Sequence, residues 1–185
     1  MKRFFLPMGL FGLLVLLLGY GIFNAPRNGT KEIISPLLGK LAPAFTLPKL
    51  LEPGQQLNDG VLRGGWHLVN VWGTWCHECR AEHDALLQIK SEGKVAIVGI
   101  DWQDDDDRAK AWLAQLGDPY EAVASDRDGR AAIDWGVYGA PESFLVDPQG
   151  IIVEKHIGAM SIEAWQRKFL THLSRPTSPQ RPAGV

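Results

Sequence analysis

The longest uninterrupted apolar run comes first: FFLPMGLFGLLVLLLGYGIF occupies Phe4 to Phe23, and no charged residue falls between Arg3 and Arg27. As a helix this run is about 30 Å long, the thickness of a hydrocarbon core. The pattern predicts a transmembrane signal anchor over 4–23, with residues 1–3 as its cytoplasmic end. A cleaved signal peptide has a shorter apolar stretch and an A-x-A-like exit. Here the exit reads Ile22-Phe23-Asn24-Ala25-Pro26, with a bulky ring where a small residue belongs, so an uncleaved anchor is expected. Lys2 and Arg3 precede the run, which keeps the amino end in the cytoplasm and turns the rest of the chain to the periplasm or cell exterior.

After the span the pattern changes. Residues 24–39 are rich in Pro, Gly, Asn and Ser, and Ile33, Ile34, Leu37 and Leu38 show no sustained period, so this segment reads as a tether. Leu68 to Trp72 and Val95 to Ile100 are short, β-branched apolar runs that read as buried central strands. Between them Ala81, Ala85, Leu86 and Ile89 form a helical stripe, giving a βαβ crossover with a parallel pair. Ala109, Trp112, Leu113 and Leu116 repeat at helical spacing and end at Gly117. Phe144 to Val146 and Ile151 to Val153 flank Asp147-Pro148-Gln149-Gly150, a hairpin turn. Ser161 caps a last helix with Ile162, Trp165, Phe169 and Leu173 on one face. The order βαβ, helix, ββα predicts one α/β domain over 40–173, a central mixed sheet flanked by helices, followed by a disordered Pro-rich tail over 174–185.

Composition narrows the chemistry. A net charge of -2 over 185 residues argues against a nucleic-acid partner, and two cysteines are too few for a disulfide-stapled scaffold. Those two sit three positions apart in Trp75-Cys76-His77-Glu78-Cys79-Arg80, where a strand gives way to a helix. In a first helical turn such a pair can close a small disulfide ring, while unpaired N–H groups and the helix dipole favour a thiolate at the first position. Cys76 is therefore expected to be the exposed attacking sulfur and Cys79 to resolve the mixed disulfide. Other readings compete for the same letters. A structural zinc site would need a second ligand pair beyond His77, Glu82 and His83, and a static bridge over so short a loop would stabilise little. A haem attachment site is excluded because Arg80, not His, follows the second cysteine.

The βαβ unit with WCxxC at its turn, and Gly139-Ala140-Pro141 before Phe144 to Val146, resembles the thioredoxin superfamily. More narrowly, GKLAPAFTLP from Gly39, NVWGTWC from Asn70, CRAEH from Cys79 and GVYGAPE from Gly136 resemble the cytochrome c maturation thioredoxins, the CcmG or DsbE family. The resemblance implies a thioredoxin-like fold with an inserted helix and an N-terminal extension, tethered to the bacterial inner membrane and acting in the periplasm. It implies a protein-disulfide reductase whose Cys76 and Cys79 reduce apocytochrome c, or a maturation protein acting on it, and are re-reduced by a DsbD- or CcdA-type membrane donor. No cofactor beyond the Cys76–Cys79 disulfide, and no metal, is implied.

Further site residues follow from the same resemblance. Pro141 is expected to be cis beside the disulfide, with the Ala140 backbone pairing to a bound peptide, and Trp75 to shape the substrate face. Asn70 stands where thioredoxin carries a buried acid, which makes Glu82, i+3 from Cys79, the candidate proton carrier. His77 and Glu78 replace the family's Pro-Thr pair; protonated His77 would favour the Cys76 thiolate and Glu78 would oppose it. Asp104 to Asp107 read as a solvated helix start, the remaining tryptophans as core and rim, and His67, His156 and His172 carry no functional signal. A general oxidoreductase of the TlpA or ResA type is the alternative within enzymes. A copper-binding assembly protein is the alternative outside them, although such proteins space their cysteines by three residues and add a distant histidine.

Overall fold

The computed structural model of the chain describes residues 5–24 and 35–174. They fall into two units, one ending at Ile34 and one beginning at Ser35. In the first unit α1 spans Phe5–Asn24, a 20-residue helix close to the expected 4–23. Its described side chains, from Met8 to Tyr20, are largely exposed. Among the described residues no helix is long and apolar enough to cross a membrane. The cytoplasmic end at 1–3, residues 25–34 of the expected tether and residues 175–185 of the expected tail lie outside the described residues.

The second unit is built on a five-stranded sheet in the order β5-β4-β3-β6-β7. Its strands are β3 (His67–Trp72), β4 (Ala96–Trp102), β5 (Ala122–Asp126), β6 (Glu142–Val146) and β7 (Ile152–Ile157). The pairs β3/β4 and β4/β5 are parallel, whereas β3/β6 and β6/β7 are antiparallel, so the sheet is mixed. Every residue of β3 is buried, as a central strand covered on both faces requires. On one face α2 (His77–Glu92), α3 (Asp106–Leu116) and the carboxyl-terminal helical segment pack Leu86, Ile89, Leu113, Trp165 and Phe169 against Leu68 and Trp72. On the other face α4 (Arg130–Asp134), the small antiparallel pair β1 (Thr46–Pro48) and β2 (Gln56–Asn58), and Trp135 cover Val69, Val71 and Phe144.

The domain begins earlier than the apolar pattern suggests. Leu37 and Leu38 pack against the core, Gly39 N–H donates to Ile152 O at 2.8 Å, and Ile152 N–H donates to Lys40 O at 2.9 Å. Residues 35–39 are therefore part of the domain and not tether: the open edge of β7 supplies partners that no local period reveals. The carboxyl-terminal segment, capped by Ser161 as expected, runs through α5 (Ile162–Ala164), a π-helical turn (Trp165–Phe169) and α6 (Leu170–Leu173). The wider turn puts the Trp165 and Phe169 rings 5.7 Å apart, both fully buried.

Candidate active site

β3 delivers the site. It ends at Trp72, the chain turns through 73–75, and α2 starts at His77 with Cys76 as its N-cap. The turn at Gly73 is tight enough that a Cβ there would lie 2.5 Å from Trp75 Nε1, so only glycine lets the Trp75 ring fold back. That ring is half exposed, packs edge-on against Trp102 at 5.6 Å and donates from Nε1 to Trp102 O at 3.0 Å. Cys76 Sγ accepts the Cys79 N–H at 3.1 Å, satisfying one of the open donors of the first turn. Cys76 and Cys79 are joined as a disulfide. Cys76 is not exposed in this state: its exposure is 5 % against 3 % for Cys79, because the bond turns both sulfurs toward each other and Ala140 O sits 3.3 Å from Cys76 Sγ.

The acidic run is not simply a solvated helix start. Asp104 is buried and its carboxylate accepts both the N–H and the Oγ1–H of Thr74, the residue two before Cys76. Asp105 is the N-cap of α3, taking the N–H groups of Asp107 and Arg108, and Asp106 accepts from Ser125 Oγ at 2.7 Å. Burial of Asp104 follows from its job: a carboxylate with well-placed donors tolerates desolvation that a free one does not. His77 and Glu78, 3.8 Å apart, are the solvent-facing pair of the motif, at 94 % and 64 % exposure.

Opposite the cysteines the Ala140–Pro141 peptide is cis. The loop that carries it is held by two residues that sequence reading assigned no role. Lys155 Nζ, on β7, lies 2.7 Å from Glu142 Oε2, donates to Gly136 O at 3.0 Å and sits over the rings of Tyr138 and Phe144 at 5.1 and 5.0 Å. Glu142 Oε1 in turn accepts the Tyr138 N–H at 3.3 Å. Lys155 stands between Glu154 and His156 on β7, a polar run that looks like solvent-exposed strand; the loop laid across its face buries it.

Beneath the cysteines lies Glu82, 1 % exposed. Its Oε1 accepts Asn70 Nδ2–H at 2.9 Å and its Oε2 accepts the Met160 N–H at 2.7 Å. Burial pushes the carboxyl up to about 7, against the pull of the Met160 and Asn70 donors, with Glu78 adding to the rise. Glu82 follows Cys79 by three residues on α2, so the two side chains share one face of the helix. Asp101, on β4, is a second buried carboxyl, pushed up to about 8 by burial and then by Asp104 and Asp106. Neither of its oxygens has a hydrogen-bond partner among the described residues.

His83, the nearest histidine to Cys79 on the helix face, is committed elsewhere: Nε2 lies 2.9 Å from Gly117 O and Nδ1 accepts from Trp112 Nε1 at 3.4 Å. Among the described residues no group of three His, Cys, Asp or Glu is placed to hold a metal ion. Trp72, Trp135 and Trp165 are core, and Trp66, Trp102 and Trp112 pack at its edge.

A vicinal cysteine pair at a helix start, bordered by a cis-proline loop on a mixed five-stranded sheet, defines a thioredoxin-fold protein-disulfide oxidoreductase. Comparisons with known proteins agree. Residues 37–169 match the Redoxin family. The thiol:disulfide interchange protein DsbE of Allochromatium vinosum is 44% identical over 174 residues, covering 94% of each chain. The DsbE of Pseudomonas aeruginosa is 42% identical, covering 91% of this chain and 92% of its own, and that of Escherichia coli is 42% identical over 79% of each. A crystal structure assigned to a Chlorobium tepidum DsbE superposes with a TM-score of 0.64 at 26% identity, over 74% of this chain and 97% of its own. The chain belongs to the redoxin family and, within it, to the DsbE-type thiol:disulfide interchange proteins.

Proposed function

We propose that the protein is a periplasmic reductant anchored in the inner membrane by α1, and that it serves cytochrome c maturation by reducing the haem-binding cysteines of apocytochrome c or a maturation protein that carries them. The observation that carries this reading is the reach of the DsbE similarity: at 94% coverage it extends past the domain into the amino-terminal helix. The sequence supports the anchor: the uncharged apolar run from Phe4 to Phe23 would be about 30 Å long as a helix, although the described part of α1 does not by itself reach the length and apolarity of a membrane span. A membrane donor of the DsbD or CcdA type would restore the dithiol.

The chemistry runs in two exchanges. The Cys76 thiolate attacks one sulfur of the substrate disulfide, forming a mixed disulfide and releasing the other substrate sulfur. Cys79 then gives its proton to the Glu82 carboxylate and attacks Cys76 Sγ. The mixed disulfide breaks, the Cys76–Cys79 bond forms, and the departing substrate sulfur takes the electron pair and a proton. Ala140, beside Cys76 Sγ, and cis-Pro141 border the place where an extended peptide would lie, and Trp75, next to Cys76, and Tyr138, two residues before Ala140, are exposed rings. The His77–Glu78 pair favours one second reading, a general TlpA- or ResA-like oxidoreductase, since it departs from the family motif next to the attacking sulfur.

The reduced Cys79→Ser variant is expected to trap a covalent adduct through Cys76 with an oxidised Cys-x-x-Cys-His peptide. It should do so at least tenfold faster than with the same peptide lacking the histidine and its flanks. Equal trapping rates for the two peptides would overturn the cytochrome-directed role and leave the general oxidoreductase.

A further inference from the structure

Tyr120 stands outside the cysteine motif, in the loop between α3 and β5, yet its hydroxyl reaches the site. Its ring stacks on Trp72 at 5.5 Å and lies over Gly99, where a Cβ would come within 3.1 Å of it. Wedged there and almost fully buried, it donates from Oη to Asn70 Oδ1 at 2.8 Å. Burial, with Glu82, Asp118 and Asp101 nearby, raises its phenol well above the usual value, so it stays a donor at every pH at which the enzyme works.

The consequence falls on Asn70. A carboxamide has one accepting and one donating end. With Oδ1 held by Tyr120, Nδ2 faces Glu82 Oε1 at 2.9 Å and Ser143 Oγ at 3.1 Å, and no polar atom of the amide is left over. Turned end for end, the amide would put its oxygen against the Glu82 carboxylate and its hydrogens against the phenol proton.

We propose that Tyr120 is a positioning residue for the proton-transfer step: its hydroxyl fixes the Asn70 amide with the donating end toward Glu82, which keeps Glu82 available as a carboxylate to receive the Cys79 proton. This rests on Glu82 being the proton carrier of the second exchange. The groups that face Glu82 are Asn70 from β3, the Met160 N–H from the loop before α5, and Glu78 and Cys79 from α2. Tyr120 and Ser143 act on it through Asn70, and Asp101 and Asp118 act on Tyr120. Loss of the phenol hydroxyl frees the amide to rotate and weakens one of two donors to the carboxylate. The protonated form then gains, and the acid limb of the reaction moves up in pH.

The test is the rate at which the full chain, carrying a mixed disulfide at Cys76 with a cysteine peptide, releases that peptide between pH 5 and 9. In the wild type the limb is expected to have its midpoint near the Glu82 value of about 7. Tyr120→Phe is expected to move the midpoint up by about 0.5 to 1 pH unit, the size of one weakened hydrogen bond to a charged group. Asn70→Leu, similar in size and unable to donate, should move it at least as far and serves if Tyr120→Phe does not fold. In a Glu82→Gln background neither change should have any effect on the limb. A limb removed by Glu82→Gln but unmoved by Tyr120→Phe and Asn70→Leu would overturn the role of Tyr120 alone. A limb that survives Glu82→Gln would overturn the proton role of Glu82 itself.

Discussion

Glu82 and Asp101 are both about 1 % exposed and lie on the same side of the sheet, one on α2 and one on β4, and burial raises both. They differ in what meets the oxygens. Glu82 has a donor on each, from Asn70 and from the Met160 backbone, and settles at about 7. Asp101 has none, faces Asp104 and Asp106, and is pushed to about 8. Burial alone makes a carboxyl reluctant to ionise; donors bring it back to where a proton can come and go at working pH. The first arrangement suits a proton carrier, and the second stores a neutral acid.

Glu142 marks the far end of that comparison, a buried carboxylate met by a full cation at 2.7 Å. Removing one partner of such a pair strands the other charge, so Lys155→Met is expected to cost about 3–5 kcal/mol in denaturant unfolding and to loosen the 136–141 loop. A loss under about 1 kcal/mol would mean that Glu142 finds other donors.

Asp101→Asn separates the other two. A raised carboxyl binds its proton more tightly in the folded state, so its contribution to stability is complete below the ordinary value of 3.8 and drains away as pH rises to about 8. Asparagine removes that loss. The variant is expected to gain on the order of 2 kcal/mol over the wild type at pH 9 and little at pH 4, read from denaturation midpoints. Equal midpoints across that range would show that Asp101 ionises freely. The same amide swap at Glu82 should not stabilise, because glutamine must aim its NH2 at either the Asn70 or the Met160 donor.

The smallest effect is electrostatic. Glu78 sits on the same helix and adds to the rise at Glu82 through solvent. Glu78→Ala is expected to lower the midpoint of the peptide-release limb, by less than Tyr120→Phe raises it, and to leave Tm unchanged. A midpoint that moves up would contradict the sign.

Much of the frame was visible in the sequence because it rests on periods. The central strands at 68–72 and 95–100, the helix behind the cysteines and the 144–153 hairpin are long apolar patterns that local packing preserves. β5 was invisible because AVASD carries one large apolar side chain, and it is a strand because β4 offers a parallel edge. In the site, Cys76, Cys79 and Glu82 could be read from spacing along one helix. Tyr120, Asp104, Glu142 and Lys155 could not, since each acts on a residue at least 13 positions away or through a loop laid over it. Asn70 was legible as a missing acid, whereas its role as a donor depends on Tyr120.

The central claim is that this site gives electrons instead of taking them. The equilibrium redox potential of the Cys76–Cys79 pair, by thiol trapping and intact mass of the full chain in defined redox buffers, tests it directly. A reductant is expected to show a single two-electron transition at about -200 mV or below, whereas a value near -120 mV, that of a strong oxidant, would contradict that role.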